Sequence, residues 1–206
     1  MLRRGLLAGA AVTTTLVLSA CGGSDQSSSD TGVNHGATAT ASPAASAVGT
    51  FNDADVTFAQ AMIPHHQQAV QMADMADGRA ADAEVKQLAG KIQAAQQPEI
   101  DTLTGWLIAW GRPVPEPHMS VGSGMEHGSM PGMMTDADMK ELMDAKGAAF
   151  DKHFLTMMIS HHEGAIEMAQ TEVAQGSNPE AKALAQKIIT DQQAEIATMK
   201  TILERL

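Results

Sequence analysis

Two methionine–histidine units are the segments of this chain best suited to chemistry. Each has the form Met-x-x-His-His, so a thioether and two imidazoles fall within about one helical turn. The units are Met62, His65 and His66, and Met158, His161 and His162. Imidazole binds several transition metals, and the added thioether favours Cu(I) over Cu(II), with Ag(I) as a mimic of Cu(I). The units therefore predict a site for a soft metal ion.

The two units lie 96 residues apart because the chain contains an internal duplication. Between residues 55–107 and residues 151–203, 21 of 53 aligned pairs are identical without a gap. Self-similarity at a fixed period is typical of one structural unit that occurs more than once. We therefore expect both copies to place their histidines in the same way.

Apolar residues recur at helical spacing in both copies, and no alternating strand pattern is present. The spacing predicts main helices over 53–77, 80–110, 148–175 and 178–205, with a short helix over 136–145. Because neither hairpin can bury its apolar face alone, the two hairpins should pack face to face. The predicted fold is all-α, a four-helix bundle made from a duplicated helical hairpin.

A glutamate on the second helix of each copy also falls on the inward face. These residues, Glu99 and Glu195, should lie near the middle of the inward face of the partner helices. Because unpaired buried polar groups are costly, each glutamate needs a role. Each either ligates the metal or accepts a hydrogen bond from an imidazole N–H group. In a bundle without metal, histidine and glutamate would instead satisfy each other inside the core.

The crossover between the copies, residues 111–135, carries a second set of soft ligands. The segment is rich in Gly, Ser and Pro, so its methionines have no helix face to fill. The candidate ligands are His118, Met119, Met125, His127, Met130, Met133 and Met134. We expect a flexible copper or silver site here, weaker than the bundle site because the segment must order itself on binding.

The N-terminus has the order of a bacterial lipoprotein signal peptide over residues 1–20. A basic start and an uncharged apolar run precede Leu-Ser-Ala and Cys21, which predicts that Cys21 is the lipidated first residue after cleavage. Residues 21–50 lack large apolar side chains and predict a disordered tether. The rest is one duplicated helical bundle, residues 51–206, with a first hairpin (51–110), the crossover (111–135) and a second hairpin (136–206).

Composition and charge exclude several classes of protein. A formal net charge of −11 argues against nucleic-acid binding, which requires basic surface, and would attract cations. A single cysteine excludes a disulfide framework and a cysteine-based zinc or iron–sulfur site. The signal peptide predicts a cell-envelope protein, anchored by lipid to the outer face of the cytoplasmic membrane, or else periplasmic or secreted.

The histidine motifs closely resemble the repeated signature of a bacterial family, domain of unknown function 305. The resemblance rests on MIPHHQQAV at 62–70 and MISHHEGAI at 158–166, and WLIAWG at 106–111 is similar to the family's ending of the second helix. It covers about residues 52–206 and implies a ferritin-like bundle in an extracytoplasmic location. It also implies copper handling, because some members with Met/His-rich stretches are linked to copper binding and tolerance.

Three functions remain open from the sequence. The favoured one is a copper- or silver-binding lipoprotein that sequesters the ion or passes it to a copper-trafficking protein. The first alternative is a ferritin-like metal oxidase, although Met62 and Met158 replace the glutamates that di-iron bundles place three residues before histidine. The second alternative is a structural or interaction bundle without metal. No nucleophile or catalytic acid–base set is recognisable, so we expect no enzyme activity.

Overall fold

The computed structural model describes residues 49–116 and 130–206. The described residues form five helices and no strand, which confirms the all-α prediction. The helices are α1 (Asp53–Asp74), α2 (Ala83–Ala109), α3 (Asp136–Asp144), α4 (Ala148–Gln175) and α5 (Pro179–Arg205). The predicted signal peptide, Cys21 and the tether up to residue 48 lie outside the described residues.

The turn between α1 and α2 is longer than the sequence pattern predicted. Helix α1 ends at Asp74 rather than near residue 77, and α2 begins at Ala83 rather than near residue 80. Gly78 has a φ of +80°, which favours glycine and interrupts the helical path. Asp82 then caps α2, because its side chain accepts hydrogen bonds from the backbone N–H groups of Glu84 and Val85.

The two hairpins, α1–α2 and α4–α5, pack against each other mainly through α1 and α4. The first half of α1 shares an apolar cluster with the second half of α4, around Phe58 and Ala169. The second half of α1 shares another cluster with the first half of α4, around Met72 and Phe154. Helices α1 and α4 are therefore antiparallel, and each cluster takes side chains from all four long helices.

Each hairpin holds the turn of the other through one buried aspartate. The Asp55 carboxylate, in the first turn of α1, accepts hydrogen bonds from the backbone N–H groups of Ser177 and Asn178 in the α4–α5 turn. The Asp151 carboxylate, in the first turn of α4, accepts from the N–H groups of Ala81 and Asp82 in the α1–α2 turn. The duplication thus produces two equivalent clamps between the copies.

None of the helices in residues 49–116 and 130–206 combines the length and the apolar character needed to cross a membrane.

Candidate metal centre

A polar layer separates the two apolar clusters at the middle of the four long helices. We call these residues the histidine layer. Its members are His65 and His66 on α1, Gln96 and Glu99 on α2, His161 and His162 on α4, and Gln192 and Glu195 on α5. The four histidines are fully buried, and the two glutamines are 2–3% exposed. The prediction that histidine and glutamate share the inward faces agrees with this arrangement.

Each copy forms one histidine–glutamate pair within the layer. The Nε2 atom of His66 lies 2.8 Å from Oε2 of Glu99, and Nε2 of His162 lies 2.7 Å from Oε2 of Glu195. Because a carboxylate can only accept, the Nε2–H group of each ring donates, and Nδ1 has no hydrogen-bond partner among the described residues. The glutamates therefore act as acceptors that orient the imidazoles.

Glu99 has a second partner that keeps it ionised. Burial raises the pKa of Glu99, but the hydrogen bonds from His66 and from Lys187 outweigh that effect and hold the pKa below its ordinary value. The Lys187 Nζ atom on α5 lies 2.9 Å from Oε1 of Glu99, so this contact also joins the two hairpins. A negative carboxylate makes its histidine partner a more basic ligand.

The other two histidines face each other across the interface between the copies. The ring centroids of His65 and His161 are 3.7 Å apart, with the rings tilted by 41°. Burial and the neighbouring His66 lower the pKa of His65 to about 3, and burial lowers the pKa of His161 well below its ordinary value. Both rings are therefore neutral at physiological pH, the state in which imidazole can donate a lone pair to a metal.

Within residues 49–116 and 130–206, several ring nitrogens of the layer have no hydrogen-bond partner. They are the Nδ1 atoms of His65, His66, His161 and His162, together with Nε2 of His161. The side-chain amide of Gln96 and Oε1 of Gln192 are unpartnered as well. Leaving a buried polar atom unsatisfied costs about 1–3 kcal/mol, so a cluster of them is a feature that folding alone does not favour. The donor set fits a soft metal ion that accepts imidazole nitrogen.

Met62 and Met158 flank the layer on opposite sides. Both side chains are fully buried, Met62 in the cluster around Phe58 and Met158 in the cluster around Phe154. Each thioether belongs to the helical turn before the histidine pair of its own copy, as the sequence spacing predicted. Both residues therefore contribute to the core, next to the level of the imidazoles.

The potential metal-binding side chains of the layer lie in pairs, either histidine with glutamate or His65 with His161. In the part of the chain that the structure describes, no three or more His, Cys, Asp or Glu side chains converge as a metal-binding group. Cu(I) and Ag(I) tolerate low coordination numbers, and thioether can complete their ligand sets, whereas harder cations need several oxygen ligands. The pairing of donors thus favours the softer ions.

The crossover contributes three described candidates, and their environments differ. Met130 and Met133 are half-buried, whereas Met134 is 8% exposed and belongs to the apolar cluster around Met72. The expectation that the crossover methionines have no core position is therefore wrong for Met134, because its segment packs back onto the bundle. His118, Met119, Met125 and His127 lie outside the described residues.

Gln96 and Gln192 belong to the layer, although the sequence pattern did not single them out. The two residues are equivalent in the duplication, and each precedes its glutamate by three residues. That spacing places glutamine and glutamate on one helix face, which is the signal that could have identified them. Both copies have glutamine here, which agrees with the equivalent positions of the two side chains in the layer.

The fold and the layer define a class of all-helical proteins in which two copies of one hairpin each supply a histidine pair to a common midplane. A family model described as domain of unknown function (DUF305) matches residues 55–203. The chain belongs to this family, as the sequence resemblance predicted. A comparison with curated protein sequences found no match.

Solved structures of the family have similar folds. A DUF305 protein from Streptomyces coelicolor is 35% identical, covering 74% of this chain and 93% of that chain with a TM-score of 0.66. A DUF305 fragment from Deinococcus radiodurans is 32% identical, covering 77% and 100% with a TM-score of 0.68. CopM in its Cu(I)-bound form is 34% identical, covering 73% and 96% with a TM-score of 0.60. CopM is also known in Cu(II)-bound, Ag-bound and apo forms.

Proposed function

We propose that this protein binds Cu(I), with Ag(I) as its mimic, in the cell envelope, and sequesters the ion or passes it on. The observation that carries this proposal is the set of buried imidazoles at the middle of the bundle whose ring nitrogens lack hydrogen-bond partners among the described residues. The structural similarity to CopM, which binds copper and silver, supports the same chemistry.

The histidine layer supplies the tighter of two proposed sites. His66 and His162 use Nδ1 as the donor atom, since their Nε2–H groups are bonded to Glu99 and Glu195. His65 and His161 add further imidazole nitrogens, and the buried Met62 and Met158 add thioethers, which favour Cu(I) over Cu(II). Helices α1 and α4 hold the thioether and the imidazoles of each copy within about one turn of each other before the ion arrives, which reduces the ordering cost of binding.

The crossover supplies a second site that captures the ion with lower affinity. Its proposed ligands are His118, Met119, Met125, His127, Met130 and Met133. Thioethers do not titrate, so the methionines of this site should retain soft ions at acidic pH. Capture at the crossover followed by transfer to the layer fits a protein that delivers copper to a trafficking partner.

The proposed location is the cell envelope. The Streptomyces coelicolor relative is described as secreted, and the signal-like N-terminus with Cys21 favours a lipid anchor for this chain. The function proposed is binding without catalysis. Oxygen consumption in the presence of Cu(I) or Fe(II), measured with the purified protein, separates this proposal from the metal oxidase alternative.

Titration of residues 49–206 with Cu(I) and Cu(II) against competing chelators tests the proposal. Replacing the four histidines of the layer together by Ala should abolish the tightest Cu(I) site. His153→Ala is the matched control, because this partly exposed α4 histidine pairs with Glu141 outside the layer. Deleting residues 118–129 should lower the stoichiometry and leave the tightest site intact.

Unchanged Cu(I) affinity in a folded quadruple variant would make the buried histidines core residues and refute the proposal. Four truncations leave a cavity, and cavities destabilise. A double variant, His66→Gln with His162→Gln, keeps most of the volume and leaves an amide beside each glutamate. This variant should weaken the site strongly even if the quadruple variant does not fold.

A further inference from the structure

The end of the crossover is bound to the surface of the bundle beside the histidine layer. We call residues 130–135 the strap. The side-chain amide of Gln68 on α1 binds the backbone of Met134 twice, donating to its carbonyl at 2.9 Å and accepting from its N–H group at 2.8 Å. The Gln68 amide thus makes the same two kinds of hydrogen bond with the Met134 backbone that a residue of a neighbouring β-strand would make.

The other side of the strap lies against α4, where glycine allows a close approach. A Cβ atom at Gly164 would overlap the carbonyl group of Pro131, and a Cβ atom at Gly132 would overlap the backbone at Ser160. Gly132 also has a φ of +74°, a conformation that other residues rarely adopt. The strap therefore fits against α4 only because both segments have glycine, which lacks a side chain, where they cross.

The strap contacts the bundle at a position where the two copies of the duplication have different residues. Gln68 and Gly164 occupy equivalent positions, 96 residues apart, within otherwise similar segments that contain the histidine pairs. One copy supplies the amide that holds the strap, and the other supplies the space for it. Contact with the strap therefore accounts for the difference between Gln68 and Gly164 at these equivalent positions.

The strap also contacts the layer directly. The Pro131 carbonyl oxygen lies 3.1 Å from Nε2 of His65, and a carbonyl can only accept, so His65 carries its proton on Nε2. The free lone pair of His65 is then on Nδ1, beside the ring of His161. Contact with the strap thus selects the tautomer of one proposed metal ligand.

Both His65 and His161 are fully buried while the strap is docked, so an ion needs a route to them. Within the described residues, displacing the strap breaks two hydrogen bonds with Gln68 and one with His65, exposes the Met134 side chain, and breaks no helix. Opening at the strap is therefore a less costly route than separating the helices. Met130 and Met133 flank this route with half-buried side chains that could bind a soft ion first.

We propose that the strap is a gate over the histidine layer, and that Gln68 and Gly164 are positioning residues that keep it closed. This inference rests on the proposed function, because the gate controls how fast a soft ion enters and leaves that site. With the gate released, both rates rise, and the equilibrium affinity changes less than either rate.

Gly164→Ala tests the gate, because its added methyl group expels the Pro131 carbonyl without removing any side chain. Gly90→Ala is the matched control, since a Cβ atom on that α2 glycine meets nothing within 4 Å and brings the same gain in helix propensity. The measurements are stopped-flow rates of Ag(I) uptake and of its release to a chelator. We expect both rates to rise at least tenfold in Gly164→Ala and to stay unchanged in Gly90→Ala.

A second readout follows the strap without any metal. In protein labelled with ¹⁵N-histidine, the Nε2 proton of His65 should exchange slowly with solvent in the wild type and rapidly in Gly164→Ala. Gln68→Leu, which removes both amide hydrogen bonds at similar volume, should have the same effect. If Gln68 or Gly164 only stabilises the fold, its substitution should change thermal stability without changing the exchange rate of the His65 Nε2 proton.

Two results overturn the gate. If Ag(I) binds tightly but exchanges equally fast in Gly164→Ala and Gly90→Ala, the strap does not control access. If the His65 proton is equally protected in both variants, the strap does not position that ring. Absence of Ag(I) binding in the wild type would instead refute the proposed function, while the proton measurement would still decide the positioning of His65.

Discussion

Four buried histidines in one layer have three different environments. His66 and His162 each donate to a glutamate, His65 donates to a backbone carbonyl, and neither ring nitrogen of His161 has a partner among the described residues. These differences come from the surroundings of each ring, including the strap, which contacts His65. The chemistry of the layer is therefore less symmetric than the duplication that produced it.

At the residue scale, the glutamates should control metal affinity without touching the ion. Replacing Glu99 and Glu195 by Gln keeps a hydrogen-bond acceptor for each imidazole but removes the negative charge. Cu(I) affinity should fall about 10–100-fold, the usual effect of losing such an outer partner. Competition titration measures the change, with the exposed Glu141→Gln as control. An unchanged affinity would mean that the glutamates only satisfy the imidazoles in the fold.

Another buried acid should make the stability of the protein depend on pH. Burial, together with the neighbouring Asp55 carboxylate, raises the pKa of Glu172 to about 8 from its ordinary value of 4.5. The folded protein then holds a proton that the unfolded chain releases, so stability falls as the pH rises from about 4.5 through about 8. The pKa of Asp55 is lowered, so the contribution of this carboxylate to the free energy of unfolding is lost only as the pH falls below its ordinary pKa of 3.8.

Glu172→Gln should remove this loss of stability, because an amide does not ionise. The variant should exceed the wild type by roughly 1–3 kcal/mol above about pH 8 and lose that advantage near pH 5. Urea denaturation at several pH values measures the difference, and Glu167→Gln on the exposed side of α4 is the control. Parallel pH profiles for Glu172→Gln and the wild type would contradict the prediction.

At the scale of the elements, the aspartate clamps should connect each hairpin to the turn of the other. Asp55→Ala removes the acceptor for Ser177 and Asn178, and Asp151→Ala removes the acceptor for Ala81 and Asp82. Each change should cost about 1–3 kcal/mol, because buried N–H groups lose a charged partner.

Amide hydrogen exchange measures the clamps directly. Asp55→Ala should accelerate exchange in the α4–α5 turn, and Asp151→Ala should accelerate exchange in the α1–α2 turn, each more than 65 residues from the changed position. Asp53→Ala, at an exposed position of the first turn of α1, is the control. Faster exchange confined to the helix that carries the substitution would show that the clamps act only as local caps.

At the scale of the whole molecule, both halves are needed for either core. Each apolar cluster contains residues from all four long helices, so a single hairpin would expose half of both clusters. The layer likewise takes its glutamates, glutamines and histidines from both copies, and Lys187 of the second copy contacts Glu99 of the first. The proposed metal site therefore requires both hairpins.

The proposed lipid anchor can be tested at Cys21. Replacing Cys21 by Ala should prevent lipidation, so that the protein leaves the membrane fraction or accumulates unprocessed. Cell fractionation with an antibody to the helical domain measures this outcome, and a substitution in the tether at Ser29 serves as control. Unchanged processing and membrane retention in Cys21→Ala would show that the protein is not a lipoprotein of this kind.

Helical periodicity and the duplication were sufficient to predict most of the architecture from sequence. Apolar spacing is a local property, and it placed α4 and α5 within about one residue of their observed bounds. The error at the α1–α2 turn arose because Asp82 and Gly78, rather than apolar spacing, determine where those helices end. The inward position of the histidines and glutamates followed from the same periodicity.

The sequence by itself thus determined the all-α fold, the repeat and the inward position of the histidines and glutamates of the candidate site. The tertiary structure decided how those residues are partnered: the glutamates as acceptors, the strap carbonyl on His65, Met134 in the core and the clamps between hairpins. The reason is distance along the chain. Helical spacing relates residues three or four apart, whereas these contacts join residues 33 to 123 apart, and only the packing of the helices brings them together.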